Sequence, residues 1–184
     1  MKLSVLKAGV FLLFIISLPD SVADNYPKCR VQVGVKLFRA LLAADLDIPE
    51  KTNENGNLLL YLLYVDESER AEKSADILHK NRKNANIRHL PIQVEKITLS
   101  TLVNQPQLMV PTGIFLTQYL KETDLQVVIH HLIVYSPFEG HVEKGVLGGL
   151  AAAAQVRPYL NMNTVRASQV RIKPFFIKVA KLYK

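Results

Sequence analysis

One cysteine, Cys29, stands in a chain of 184 residues. No intramolecular disulfide can form, so the fold must rest on its apolar core. Cys29 is open to two readings, a pairing with another chain or a free thiol. Long apolar runs are scarce as well. Beyond residue 18 the most apolar stretch is LLLYLLYV, residues 58–65. It falls far short of the ~20 residues a membrane-spanning helix needs, and suits a strand buried on both faces. There is no internal repeat and no low-complexity tract.

Catalytic motifs are missing too. Gly145-Val146-Leu147-Gly148-Gly149 has the composition of a phosphate loop but lacks a Gly-Lys-Ser/Thr ending. It does not separate a strand from a helix start, so close packing of backbone is the better reading. Ser136 and Ser168 sit in no Gly-x-Ser-x-Gly elbow. His130 and His131 are adjacent and therefore point in different directions, with no Cys, Asp or Glu nearby at ligand spacing. Glu139 and Glu143, four apart, either flank a cleft or are solvated in a loop. No catalytic residues and no metal ligands are assigned; the chain reads as a non-enzyme without a cofactor. No basic motif is interleaved with aromatics, which argues against nucleic acid.

What is present begins at the first residues. Lys2 and Lys7 form a positive segment, residues 8–18 (AGVFLLFIISL) an uncharged apolar one, and Pro19 breaks the run. Ser21-Val22-Ala23 then offers small residues where a signal peptidase cuts. Residues 1–23 read as a cleaved secretory signal, and residues 24–184 as one domain, long enough for a sizeable core. The rival reading is an uncleaved anchor. No lipobox cysteine follows, because Cys29 lies six residues past Ala23. The expected location is the periplasm, with no membrane span after cleavage. The net charge of +7 falls to +6 once Lys2, Lys7 and Asp20 leave with the signal. Such a balance suits an acidic partner domain or an anionic membrane surface, or simply solubility.

Hydrophobic spacing sets out the elements. Over residues 31–44, Val35, Phe38, Leu41 and Leu42 share one helical face, with Lys36 and Arg39 on the other. Residues 45–57 hold Pro49, Asn53, Asn55 and Gly56, a breaker cluster. Residues 57–65 predict a strand and residues 66–83 a helix with Ala71, Ala75 and Leu78 inward. Further strands are expected over 91–99, 111–117, 132–135 and 155–160. Helices are expected over 100–104 with a cap at Ser100, over 119–131, after a cap at Asn163 or Thr164, and finally over 173–183. Alternating strands and helices predict a single α/β domain, its sheet mainly parallel or mixed, with helices on both faces. The loop Ser136-Pro137-Phe138-Glu139-Gly140 follows a strand, where open α/β sheets bind ligands; Pro and Gly equally suit a plain turn.

From residue 132 onward the chain reads LIVYSPFEGHVEKGVLGGLAAAAQVRPYLNMNTVRASQVRIKPFFIKVAKLYK. A strand and loop lead to a glycine-containing strand and then to Arg157-Pro158-Tyr159-Leu160-Asn161. A helix with Arg166-Ala167-Ser168, a break and a final basic-apolar helix follow. This resembles the C-terminal half of the YfiR-like periplasmic proteins. Val35-Lys36-Leu37-Phe38-Arg39-Ala40-Leu41-Leu42 is similar to that family's opening helix, and residues 58–65 to its first buried strand. The resemblance spans residues 31–184. It implies a periplasmic α/β regulator that binds the extracytoplasmic part of an inner-membrane signalling protein. In one member the target is a diguanylate cyclase, so cyclic-di-GMP output and biofilm formation would follow. Disulfide control does not carry over to a chain with Cys29 alone, and His141 stands where the pattern suggests an acid before Val142.

Two functions follow as expectations. In the first, Lys36 and Arg39 contact an inner-membrane signalling protein with a periplasmic domain. In the second, the chain is a small-molecule binding module related to one lobe of a periplasmic binding protein, its ligand near Ser136, Phe138, Glu139 and Asn161. One lobe rarely encloses a ligand, so a homodimer or partner would complete that cleft.

Overall fold

The computed structural model describes residues 21–79, 86–105, 110–130, 133–152 and 155–184, with side chains described from Cys29 onward. Most of the expected signal, residues 1–20, lies outside the described residues. The described part of helix α1 (Ser21–Ala44) spans the expected cleavage point after Ala23.

Among the described residues, eight strands form one sheet. They are β1 (Leu58–Tyr64), β2 (Asn86–Ile87), β3 (Leu90–Thr98), β4 (Gly113–Leu116), β5 (Val134–Ser136), β6 (Gly148–Ala152), β7 (Val156–Asn161) and β8 (Lys181–Tyr183). Their spatial order is β2-β3-β1-β4-β5-β6-β7-β8. Strands β3, β1, β4, β5 and β6 run parallel. Strand β7 turns antiparallel to β6, β8 follows β7 in parallel, and β2 is antiparallel to β3. The helices are α1, α2 (Ser68–His79), α3 (Leu99–Asn104), α4 (Glu122–Val128), α5 (Met162–Ala167) and α6 (Pro174–Val179). This is the single α/β domain with a mainly parallel sheet that the sequence predicts.

Strand β1 shows why its residues are apolar throughout. Leu58, Leu60 and Leu62 join one core with α1, Ala71 and Leu78 of α2, Val165 of α5 and Phe176 of α6. Leu59, Tyr61 and Leu63 join another core on the opposite face, with Leu125 and Val128 of α4 and the flanking Leu99 and Leu102 of α3. Successive residues of a strand point to opposite faces, so a strand covered on both sides has no polar position. Each fully buried leucine contributes roughly 1.5–3 kcal/mol.

Helix α1 lies close over the sheet. Phe38 stacks near Phe115 and Tyr135 with ring centroids 5.6 and 5.8 Å away. A Cβ on Gly148 would sit 2.7 Å from Leu41 Cδ2, and one on Gly113 2.9 Å from Phe38 Cζ. Glycine at these two strand positions lets the helix approach. The glycine-rich run is thus packing surface, as its sequence suggests.

Three local expectations are corrected, and one short strand was not expected. Residues 173–183 do not form one helix: α6 ends at Val179, Ala180 is extended, and Lys181–Tyr183 form β8 beside β7. Pairing with the otherwise open edge of β7 outweighs helical propensity there. The cap of α5 is Asn161, whose side-chain oxygen accepts from the N–H of Asn163 and Thr164. That of α3 is Thr98, which accepts from Thr101 N–H. Strand β2 has only two residues, too few for any periodicity to show.

Candidate functional site

With β3 on one side of β1 and β4 on the other, the sheet changes winding direction between β1 and β4. In such sheets the crevice at the carboxyl ends of these strands is the usual ligand site. Here Gln118 fills it. Its Oε1 accepts from the N–H of Val65 at 2.6 Å and of Asp66 and Glu67 at 3.3 Å. Its Nε2 donates to Asp66 Oδ1 at 2.5 Å. Amides ahead of a helix such as α2 would suit an anion; a carboxamide of the same chain takes that place.

The next strand ends are tied by a histidine. His141 is fully buried. Its Nε2 lies 3.1 Å from the carbonyl of Leu120, which can only accept, so Nε2 carries the proton. Nδ1 then accepts from Ser136 Oγ at 2.7 Å, and the same Oγ accepts from Phe138 N–H at 3.1 Å. Burial holds the imidazole pKa down at about 4. Outside this knot, Tyr119 is half exposed, with its ring 4.5 Å from that of His141 and edge-on to Phe138 at 6.1 Å.

Beyond Phe138 opens a pocket of about 520 Å³. Phe138, Glu139 and Glu143 line it from the loop after β5, and Arg157, Tyr159 and Lys181 from β7 and β8. Ala151 of β6, opposite Arg157 in the ladder, adds a small side chain that leaves the space open. The loop is anchored from α1 by Arg30, itself buried. Its Nε donates to Pro137 O at 3.0 Å and its Nη1 to Glu139 Oε1 at 2.8 Å, while Nη2 reaches Leu150 O at 3.4 Å. Tyr159 lies against the strand floor. Burial and a hydrogen bond to the Glu143 carboxylate push its phenol up to about 12. Lys181 Nζ stands 4.5 Å above the Tyr159 ring centre, a cation–π contact.

Of the four residues expected at a cleft, Phe138 and Glu139 line the pocket. Ser136 and Asn161 are buried beside it, and Asn161 Nδ2 donates to Val142 O at 2.7 Å. Sequence reading did not single out Arg157, Tyr159 or Lys181. The signal for the first two was available, since residues two apart on a strand share a face. Lys181 was hidden by the helix expected over it. Of the two residues expected at a partner surface, Lys36 is exposed. Arg39 donates to Leu78 O at 3.0 Å and Asn86 O at 3.1 Å, fastening α1 to α2 and β2. His130 is exposed and His131 lies outside the described residues. Among the described residues no group of three or more His, Cys, Asp or Glu is placed to hold a metal ion, and no helix is long and apolar enough to cross a membrane.

No protein-family model and no curated protein matches the chain. Solved structures do. An ABC domain from Streptococcus pneumoniae, in complex with L-Trp, is similar with a TM-score of 0.53 and 10% identity, over 84% of this chain and 62% of that one. A conserved domain protein from Vibrio cholerae is similar with a TM-score of 0.51 and 11% identity, over 84% of this chain and 60% of that one. A substrate binding protein with adhesive properties from Clostridium difficile, in its ligand-free open form, aligns with a TM-score of 0.44 and 13% identity, over 76% of this chain and 60% of that one. The chain thus spans about three fifths of the length of these structures. At such identities the first two likenesses show a shared fold and nothing further.

Proposed function

We propose that the chain is an extracytoplasmic small-molecule binding module. The observation that carries this reading is the pocket of about 520 Å³ beside the carboxyl ends of β5 and β6. Ligand sites occupy roughly 300–1,000 Å³ and combine apolar walls with a few convergent polar groups. Phe138 and Tyr159 supply the first, Glu143, Arg157 and Lys181 the second. The likeness to an ABC domain solved with L-Trp supports the same reading, and the apolar segment over residues 8–18 supports a place outside the cytoplasm. The test is thermal unfolding of the protein against a panel of metabolites. A ligand that binds only the folded state raises the midpoint, by the equivalent of ~2.7 kcal/mol at a hundred times its Kd. A flat response to every compound, with the fold verified by circular dichroism, sinks the proposal.

A second reading is regulatory. The resemblance of residues 31–184 to YfiR-like proteins supports contact with a membrane signalling protein such as a diguanylate cyclase. The exposure of Lys36 on α1 leaves that cation available. Affinity capture from detergent-solubilised membranes tests it, with Lys36→Glu as the matched control. Failure to recover a membrane protein with the intact bait, or recovery unchanged by the variant, removes α1 as the contact surface.

A further inference from the structure

The pocket's ligand chemistry can be read from how the sheet is covered. On the face of Leu59, Tyr61 and Leu63, helices α3 and α4 close the core over the central strands. The core on that face contains no residue of β7 or β8. Arg157, Tyr159 and Lys181 therefore line an open face, roofed at one side by the loop that carries Phe138 and Glu143. Tyr159 and Lys181 are ladder neighbours, and Arg157 stands two residues along the same strand, ~7 Å away by strand geometry.

The charges divide into two groups. On the strand side, Arg157 and Lys181 have no carboxylate within ion-pair distance among the described residues; the contact of Lys181 is with the Tyr159 ring. On the loop side, Glu139 is neutralised by Arg30, whereas among the described residues Glu143 has no cation at ion-pair distance and engages the neutral Tyr159 phenol. Two cations and one carboxylate thus face one cavity without ionic partners. A simple anion would meet the cations but be repelled by Glu143. A simple amine would meet Glu143 but be repelled by the cations. A molecule with both charges answers all three.

Resting on the binding-module reading, we propose that this pocket takes a small zwitterion, a free α-amino acid or a close analogue. Its carboxylate lies on Arg157 and Lys181, its ammonium toward Glu143, and its side chain against Phe138. Arginine is the residue suited to a two-pronged hold on a carboxylate. This seat is distinct from the crevice between β1 and β4, which Gln118 occupies.

The test is calorimetric titration of the protein with each of the common L-amino acids, followed by the N-acetyl and C-amide forms of any that bind. At least one amino acid is expected to bind, and blocking either charge should weaken it tenfold or more. Arg157→Gln should cost at least tenfold, with Arg157→Lys recovering part of the loss. Arg157 is an exposed position on a formed strand, so the fold is retained in both variants and checked by melting curves. A ligand that binds equally well after amidation or acetylation overturns the proposal. So does stabilisation by compounds of the wider metabolite panel with no amino acid among them, an outcome that leaves the binding-module reading standing. Silence from the entire panel removes both.

Discussion

The Ser136 hydroxyl donates a hydrogen bond to Nδ1 of His141 across 2.7 Å, and neither side chain reaches solvent. The pair resembles a nucleophile and its base in spacing alone. Its evident work is structural: it clamps the turn that presents Phe138 and Glu139, and it fixes the imidazole in its neutral form with the proton on Nε2.

That clamp makes stability depend on pH. The imidazole titrates at about 4 when folded and near 6.5 when unfolded. Between those values the unfolded chain binds the extra proton, so stability falls as pH drops through 6.5 and levels off below about 4. The loss is roughly 3 kcal/mol at its fullest, at 1.36 kcal/mol per pKa unit. Urea unfolding at pH 7.5, 5.5 and 4.5 measures it. His141→Gln is expected to flatten the profile over this window; an unchanged profile in the variant refutes the assignment.

The phenol of Tyr135 is buried and has no hydrogen-bond partner among the described residues. A buried, unsatisfied hydroxyl costs ~1–3 kcal/mol. Tyr135→Phe keeps the ring contacts with Phe38 and Phe115 and is expected to raise stability by about 1 kcal/mol in chemical denaturation. A destabilised variant would show that the hydroxyl has a partner.

Asp45 is fully buried, and its carboxylate pairs with Lys51 in the turn after α1. Removing one member of a buried pair leaves an uncompensated charge. Lys51→Met should therefore cost ~3–5 kcal/mol, whereas the double change Asp45→Leu/Lys51→Met should recover much of it. A double-mutant cycle by denaturant unfolding reads the coupling.

The two cations of α1 are expected to behave differently. Arg39→Ala loses hydrogen bonds to Leu78 O and Asn86 O and should destabilise the fold by about 1–3 kcal/mol. Lys36→Glu should leave stability within ~0.5 kcal/mol, as surface changes do. Only the Lys36 variant is thus a clean probe of partner contact. Equal melting curves for the two variants would contradict this division.

The main elements were legible because their patterns are local. The apolar run at residues 58–65 has the length of a strand covered on both faces, and Val35, Phe38, Leu41 and Leu42 have the spacing of one side of a helix. Caps and edges were not legible. Asn161 caps α5 because β7 ends there, and Lys181 joins a strand because β7 offers an edge; both facts depend on distant chain. The pocket was half visible for the same reason. Phe138 and Glu139 sit in a loop marked by Pro137 and Gly140. Arg157 and Lys181 become a pair only through the β7–β8 ladder, which no spacing in the sequence records.

The seam between the early and late chain has a consequence for how the molecule is made. Leu46 N–H donates to Arg171 O at 2.7 Å, Lys173 N–H to Ala44 O at 2.9 Å, and Asp45 bridges Ile172. Arg30 likewise waits for Glu139 and Leu150. Closing contacts across more than a hundred residues is slow, because loop entropy must be lost before the contacts form. The hydrogen bonds of this seam therefore close only after residues 171–173 have been synthesised.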